Sequence, residues 1–289
     1  MGASDDISPV VPRRRLRIEL KRARLDAGQT QGEVAAAMDW SLSKVIRIEA
    51  GTVSISTNDL KALLRYYGIV DPAVTDELIS LGKAARDRTW WSDYREKAPS
   101  GLLQLIGYES AASARRNFEP LLIPGLLQTE DYARAVIPAL DEGVSPERVN
   151  TLVEIRIRRQ ELVHGANPPQ LYFVLDEAAI RRLTGGPEVM RGQLHHLMKM
   201  AERPNVTIEV IPFSAGIHQG MRGSFVVLEF PHPSDDDVLY VEDTAGGLVI
   251  REDRDEIQSY REIFERLRGV SLGPKESLGH IGKLADEIH

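Results

Sequence analysis

Leu42, Ser43, Lys44 and Arg47 form one outward row at the start of a short helical segment, and Gln31 opens the segment before it. Short polar and basic side chains grouped in this way suit hydrogen bonding to phosphates and to base edges in a major groove. The elements that must position them can be read around them. In TQGEVAAAMDWSLSKVIRIEAG (30–51), a first helix from Gln31 to Met38 is expected to turn Val34, Ala35 and Met38 inward. A second, from Ser41 to Ala50, is expected to turn Val45, Ile46 and Ile48 inward and leave the row outside. Ala35, Ala36 and Ala37 let the two helices cross closely, as a helix-turn-helix requires. A polar, basic face at the start of the second helix fits the groove-entering element of such a motif.

The flanking segments support this reading. Leu16, Leu20, Ala23 and Ala27 recur at helical spacing, and Gly28 follows at a helix-ending position. Thr57 or Asn58 is expected to cap a helix carrying Leu60, Leu63, Leu64 and Tyr67, which Gly68 closes. Asp71-Pro72 then opens a further helix, with proline at its first position. Five short helices in this order, with Q-x-E-V-A at 31–35 and S-K-V-I-R-I-E-A-G at 43–51, resemble the phage-repressor-like Xre helix-turn-helix family over residues 14–70.

That resemblance implies a role for each matching position. Gln31 corresponds to an amide that grips a backbone phosphate beside the helix N-terminus. Leu42, Ser43 and Arg47 correspond to base-facing positions, and Lys44 to a base or phosphate contact. Arg47 is the first candidate for sequence reading, because a guanidinium bonds bidentately to guanine O6 and N7. Arg24 and Glu49 correspond to a structural ion pair tying the first helix to the end of the second motif helix. Leu42 stands where a polar residue is common, which favours contact with a thymine methyl. Trp40 is expected to act as a hydrophobic staple and Ser41 as the N-cap, with Lys44 in the place of a capping-box glutamate.

Composition bounds the remainder. A chain of 289 residues suits two domains, and the absence of cysteine excludes disulfides and thiolate metal sites. No signal-peptide pattern opens the chain and no run suits a membrane span, so a cytoplasmic location is expected. The net charge of −7 is unevenly spread: residues 13–68 hold eleven Lys+Arg against six Asp+Glu, or +5, which leaves −12 for the rest. Phosphate attraction is thereby confined to the head. The Arg13-Arg14-Arg15 run reads either as a phosphate-touching arm or as a solvated helix start.

The expected division is a helix-turn-helix domain at 13–86, a linker at 87–100 and an α+β effector domain at 101–289. Trp90 and Trp91 in the linker are expected to dock on the second domain, with ligand stacking as the alternative. In that domain, helices are expected at 102–114, 129–139, 145–164, 187–201, 255–267 and 274–288. LYFVLDE, VTIEVIPF, SFVVLEF and DVLYVED read as about four strands of a mainly antiparallel sheet covered by helices. The run EPLLIPGLLQTEDYARAV (119–136), with the last two strands, resembles the C-terminal domain of actinobacterial WhiJ-type antitoxin-like regulators, a DUF5753-like domain, over residues 89–285. The resemblance implies a transcriptional regulator, often accompanied by a small partner protein.

Enzyme signatures are missing. His195 and His196 are adjacent and so point to different helix faces; no H-E-x-x-H, P-loop or G-x-S-x-G segment occurs. Asp235-Asp236-Asp237 reads as a solvated hairpin tip rather than a cation site. His218, in the glycine-rich loop FSAGIHQGMRGS, marks the candidate ligand loop, together with Trp90 and Trp91. The reading is therefore a non-enzymatic, sequence-specific regulator of double-stranded DNA with no cofactor or metal. It is expected to be a homodimer, with the 145–164 helix or the C-terminal helices as interface, whose second domain senses a small-molecule effector or small protein partner. The alternative is an antitoxin-like protein-binding module with autoregulatory DNA binding.

Overall fold

The computed structural model describes residues 8–232, 235–242 and 247–288. Two compact units divide the chain, Met1–Asp93 and Tyr94–His289.

The first unit is helical: α1 (Val10–Asp26), α2 (Gln31–Ala37), α3 (Leu42–Glu49), α4 (Thr57–Tyr66) and α5 (Pro72–Ala84). Its core gathers Leu16 and Leu20 of α1, Val34 of α2, Val45 and Ile48 of α3, and Leu60, Leu63 and Leu64 of α4 around Leu78 of α5. Gly28, Gly51 and Gly68 end α1, α3 and α4 with positive φ, where a side chain would strain the backbone. The cap of α4 is Ser56, whose side chain accepts from Asp59 N, and not Thr57 or Asn58. Thr57 is instead the first helical residue and accepts from the Arg86 guanidinium. The Arg13–Arg15 run lies within α1 and is no flexible arm: Arg13 donates to Ala85 O at 2.7 Å, Arg14 is buried and Arg15 pairs with Glu77.

The second unit is α+β, in the order α6 (Ser100–Glu109), β1 (Ala114–Glu119), α7 (Glu130–Leu140), α8 (Pro146–Arg159), β2 (Gln170–Asp176), α9 (Glu177–Arg181) and α10 (Pro187–Ala201). There follow β3 (Val206–Ile211), β4 (Phe225–Glu229), β5 (Val238–Glu242), β6 (Leu248–Arg251), α11 (Arg254–Val270) and α12 (Pro274–Glu287). Among the described residues six strands, against the four or so expected, form one sheet in the order β3-β2-β1-β4-β5-β6. Pairings β1–β4, β4–β5 and β5–β6 are antiparallel; β1–β2 and β2–β3 are parallel. Leu171, Phe173 and Leu175 of β2 face a core shared with α7, α8, α10 and α12, while Val174 faces Phe264 and Leu267 of α11. Alternate side chains of β2 are thus buried on both faces, which accounts for its almost continuous apolar sequence.

The helix expected at 102–114 ends at Glu109, and Ala114 begins β1. The sequence ARRNFE hides this strand because two of its inward side chains are polar. Arg115 pairs with Glu109 and donates to Asn117 Oδ1 at 2.8 Å. Arg159 of α8 also grips Glu109, through Nε at 2.5 Å and a terminal nitrogen at 2.6 Å. Burial, and then the nearby Arg159, push the Arg115 guanidinium well below its usual range. The run PGLLQT (124–129) is latched onto the same region. Gln128 donates to Ile123 O and accepts from Arg156, and Gln160 donates to the carbonyls of Gly125 and Gln128. A Cβ on Gly125 would lie 3.4 Å from an Arg159 terminal nitrogen, an ordinary contact, and its φ is not positive, so neither packing nor backbone conformation demands glycine there. Among the described residues, no helix is long and apolar enough to cross a membrane.

Candidate nucleic-acid interface

Both motif helices are capped at their N-termini, and the turn between them is held by the backbone. Thr30 and Glu33 form a reciprocal capping box at the start of α2: Thr30 Oγ1 accepts from Glu33 N at 3.2 Å, and Glu33 Oε2 accepts from Thr30 N at 2.7 Å. The backbone N–H of Thr30, followed by its hydroxyl, holds the Glu33 carboxyl below its ordinary range. Asp39 takes the left-handed conformation, φ 53°, which a short polar side chain tolerates, and Trp40 N returns to Ala35 O at 2.9 Å. Ser41 then caps α3, its Oγ accepting from Lys44 N at 3.2 Å. Such a cap contributes about 1 kcal/mol.

On α3, Val45, Ile48 and Glu49 are buried, while Leu42, Ser43 and Arg47 are exposed. Two expectations are corrected. Ile46 does not turn inward: it is 45% exposed, close to Leu42 at 49%. At 100° per residue, positions 42 and 46 share a face, and 43 and 47 lie beside them. Lys44 does not stand outward with the row. It is half-buried, with Nζ 3.1 Å from Asp59 Oδ2 and 3.9 Å from the centre of the Trp40 ring. Trp40 itself packs against the core of the unit. The face that α3 presents is therefore Leu42, Ser43, Ile46 and Arg47: two apolar side chains, a hydroxyl and a guanidinium. Arg47 Nε rests on Ser43 O at 3.3 Å, which leaves the terminal nitrogens at the exposed end of the side chain.

Glu49 lies beneath this face and joins three elements. Arg24 of α1 donates to both its oxygens, Nε to Oε1 at 2.6 Å and a terminal nitrogen to Oε2 at 3.1 Å. The second terminal nitrogen of Arg24 donates to Gln29 O at 2.8 Å. Gln31 Nε2 also donates to Glu49 Oε2, at 2.8 Å, so this amide is tied to the ion pair at the mouth of α2. The hydrogen bond to Glu49 raises the Arg24 pKa, against a smaller opposing effect of burial. Burial pushes the neighbouring Tyr67 hydroxyl up, with the Glu49 charge adding to it. Removing either charge from such a buried pair costs about 3–5 kcal/mol.

The remaining sequence candidates fall elsewhere. Trp90 and Trp91 open a short 3-10 helix, Trp90–Tyr94, with their rings edge to face at 5.6 Å; His218 belongs to the other unit. There it is a pin: its side chain is almost wholly buried, Nε2 is 3.0 Å from Asp176 Oδ2, and its ring meets Phe118 edge-on at 5.9 Å. Asp236 and Asp237 pair with Arg254 and Arg261 of α11. Burial, then Lys199, hold His196 below the usual histidine range.

Two family models match. Residues 15–78 match a helix-turn-helix domain, and residues 102–283 match DUF5753, a domain of unknown function. Neither a curated protein nor a solved structure matches the chain.

Proposed function

From the premise that the chain belongs to the DUF5753 family, with a helix-turn-helix domain ahead of that domain, we propose that it is a sequence-specific DNA-binding transcriptional regulator. Its second domain would tune DNA affinity by sensing a ligand or protein partner, by binding and not by turnover. The observation that carries this reading is the exposed face of α3. Leu42, Ser43, Ile46 and Arg47 stand on a helix whose own core contacts and Glu49 anchor are complete without them. Exposed apolar side chains beside a guanidinium match the thymine methyl and guanine edge of a major groove better than they match water. Arg47 is assigned to a guanine, Leu42 and Ile46 to thymine methyls, and Ser43 to a base or phosphate. Gln31 is assigned to a phosphate at the α2 N-terminus, with Glu49 holding its amide in place. Lys44, occupied by Asp59 and Trp40, is assigned to phosphate attraction at most.

Selection of genomic DNA fragments by the purified full chain at near-physiological salt tests the reading. Enrichment of a defined site, composed of two related half-sites, is the expected result. Binding that is equal for all fragments would remove the sequence-specific assignment.

A further inference from the structure

The loop 212–223 of the second unit combines a fixed backbone with an apolar exterior. Four contacts hold it. Phe213 N donates to Glu177 Oε2 at 2.6 Å, and His218 meets Asp176 at 3.0 Å. The His218 ring packs on Phe118, and Gly220 lies so close to the same phenylalanine that a Cβ would sit 2.4 Å from its ring. Yet side chains at and beside these pins are exposed: Phe213 is 59% exposed, Met221 59% and Ile217 94%. A loop free to rearrange could fold such side chains inward; a pinned one displays them. The adjoining end of α9 adds cations. The guanidinium of Arg181 stands 6.0 Å over the Phe213 ring and is paired with Glu177; Arg182 follows it exposed, and Arg222 is exposed at the far end of the loop.

The two carboxylates that border the loop are engaged, Asp176 with His218 and Glu177 with Phe213 N and Arg181, and the segments 178–187 and 212–223 add no further aspartate or glutamate. Residues 94–289 as a whole carry 22 Lys+Arg against 30 Asp+Glu, a net −8. The exposed cations Arg182 and Arg222 thus stand beside exposed apolar side chains on a domain that is anionic overall. Its side chains project outward, whereas small-molecule sites are concave, so a macromolecule is the better match. A second copy would bring Arg181, Arg182 and Arg222 against their own equivalents in an isologous contact, which like charge disfavours. DNA would meet the cations but leave Ile217 and Met221 without an apolar counterpart.

We propose that this loop, with the end of α9, is the docking surface for an acidic amphipathic segment of a partner protein. Its carboxylates would meet Arg182 and Arg222, and its apolar side chains would cover Phe213, Ile217 and Met221. This rests on the reading of the second domain as the sensing half and names the partner chemistry. The experiment places a photoreactive side chain in the full-length protein, as Ile217→benzoylphenylalanine, crosslinks it in the native host and sequences the attached peptide. The expected product is a partner segment in which acidic and apolar residues alternate at helical or strand spacing. A synthetic peptide of that sequence should bind the wild-type full chain, more weakly as salt rises, with at least about a ten-fold loss for Ile217→Asp and for Arg182→Glu with Arg222→Glu. A crosslink to a second copy, to DNA or to a neutral or basic segment would overturn the proposal. So would no crosslink, or peptide binding that these variants leave unchanged. Fragment selection by Ile217→Asp, run alongside, separates the two readings: an unchanged DNA preference leaves the regulator standing if docking fails, and no preference in wild type removes it whatever is crosslinked.

Discussion

Arg47 and Ile46 sit one position apart on α3, and their chemistry predicts separable effects on DNA. A guanidinium that bonds guanine bidentately discriminates by hydrogen-bond pattern, so Arg47→Ala should weaken the preferred site by about 1–3 kcal/mol and relax preference at one G·C position. Ile46→Ser removes an apolar surface without removing charge. It should relax preference at an A·T position while leaving the salt dependence of binding as it was. Repeating fragment selection with both variants, at two salt concentrations, checks the pair; equal, sequence-independent losses would sink both assignments. The exposure of Arg47 could be read from the sequence because Ser43 and Lys44, one turn before it, are polar. Ile46 could not, because an apolar residue beside Val45 and Ile48 looks like core. The four-residue spacing from Leu42 was the available signal. Lys44 misled in the opposite sense: its partners Asp59 and Trp40 come from α4 and from the turn, and side-chain type alone does not reveal them.

Elements whose inward face is apolar were legible, and the one whose inward face is charged was not. The helices of the first unit and the strands β2 to β5 follow the expected patterns, with shifts of up to three residues at their ends. β6, four residues long, offers too little periodicity to stand out. β1 turns Arg115 and Asn117 toward Glu109 and Arg159, so alternation of apolar residues could not mark it. The same element carries a pH-dependent cost. Burial raises the Glu119 carboxyl to about 7, against the smaller opposing pull of the Asn117 hydrogen bond and the Arg115 charge. The folded state therefore retains a proton that the unfolded chain has already released between its ordinary value of 4.5 and about 7. Stability contributed by this group is present below that window and is lost as pH rises through it. Denaturant unfolding of wild type and Glu119→Gln at pH 5 and pH 8 isolates the effect. Wild type should lose more stability than the variant between the two values, by at most on the order of 3 kcal/mol. Parallel losses in the two proteins would show that Glu119 titrates no differently once folded.

For the whole molecule, charge and size together set the terms of DNA binding. The +5 carried by residues 13–68 confines favourable phosphate contacts to the helix-turn-helix head, since the rest of the chain carries −12. One head of this size buries only about 600–1,000 Å² on DNA, and α3, at eight residues, reaches a few base pairs. Sequence-specific motifs of this kind gain affinity by pairing two heads on half-sites about one helical turn, roughly 34 Å, apart. The protein should therefore act as a homodimer. The loop around Ile217 is an unfavourable isologous interface because its arginines would face their own copies, so the dimer must form through another surface. Light scattering of the full chain, free and with the selected DNA fragment, should give a protein mass of twice 32.2 kDa. Removing one half-site from the fragment should then cost far more affinity than one base-pair mismatch, which is worth about 1–3 kcal/mol. A single protein copy on the intact fragment, with equal affinity for the half-site, would mean that one head suffices, and the second unit would have to act on that head alone.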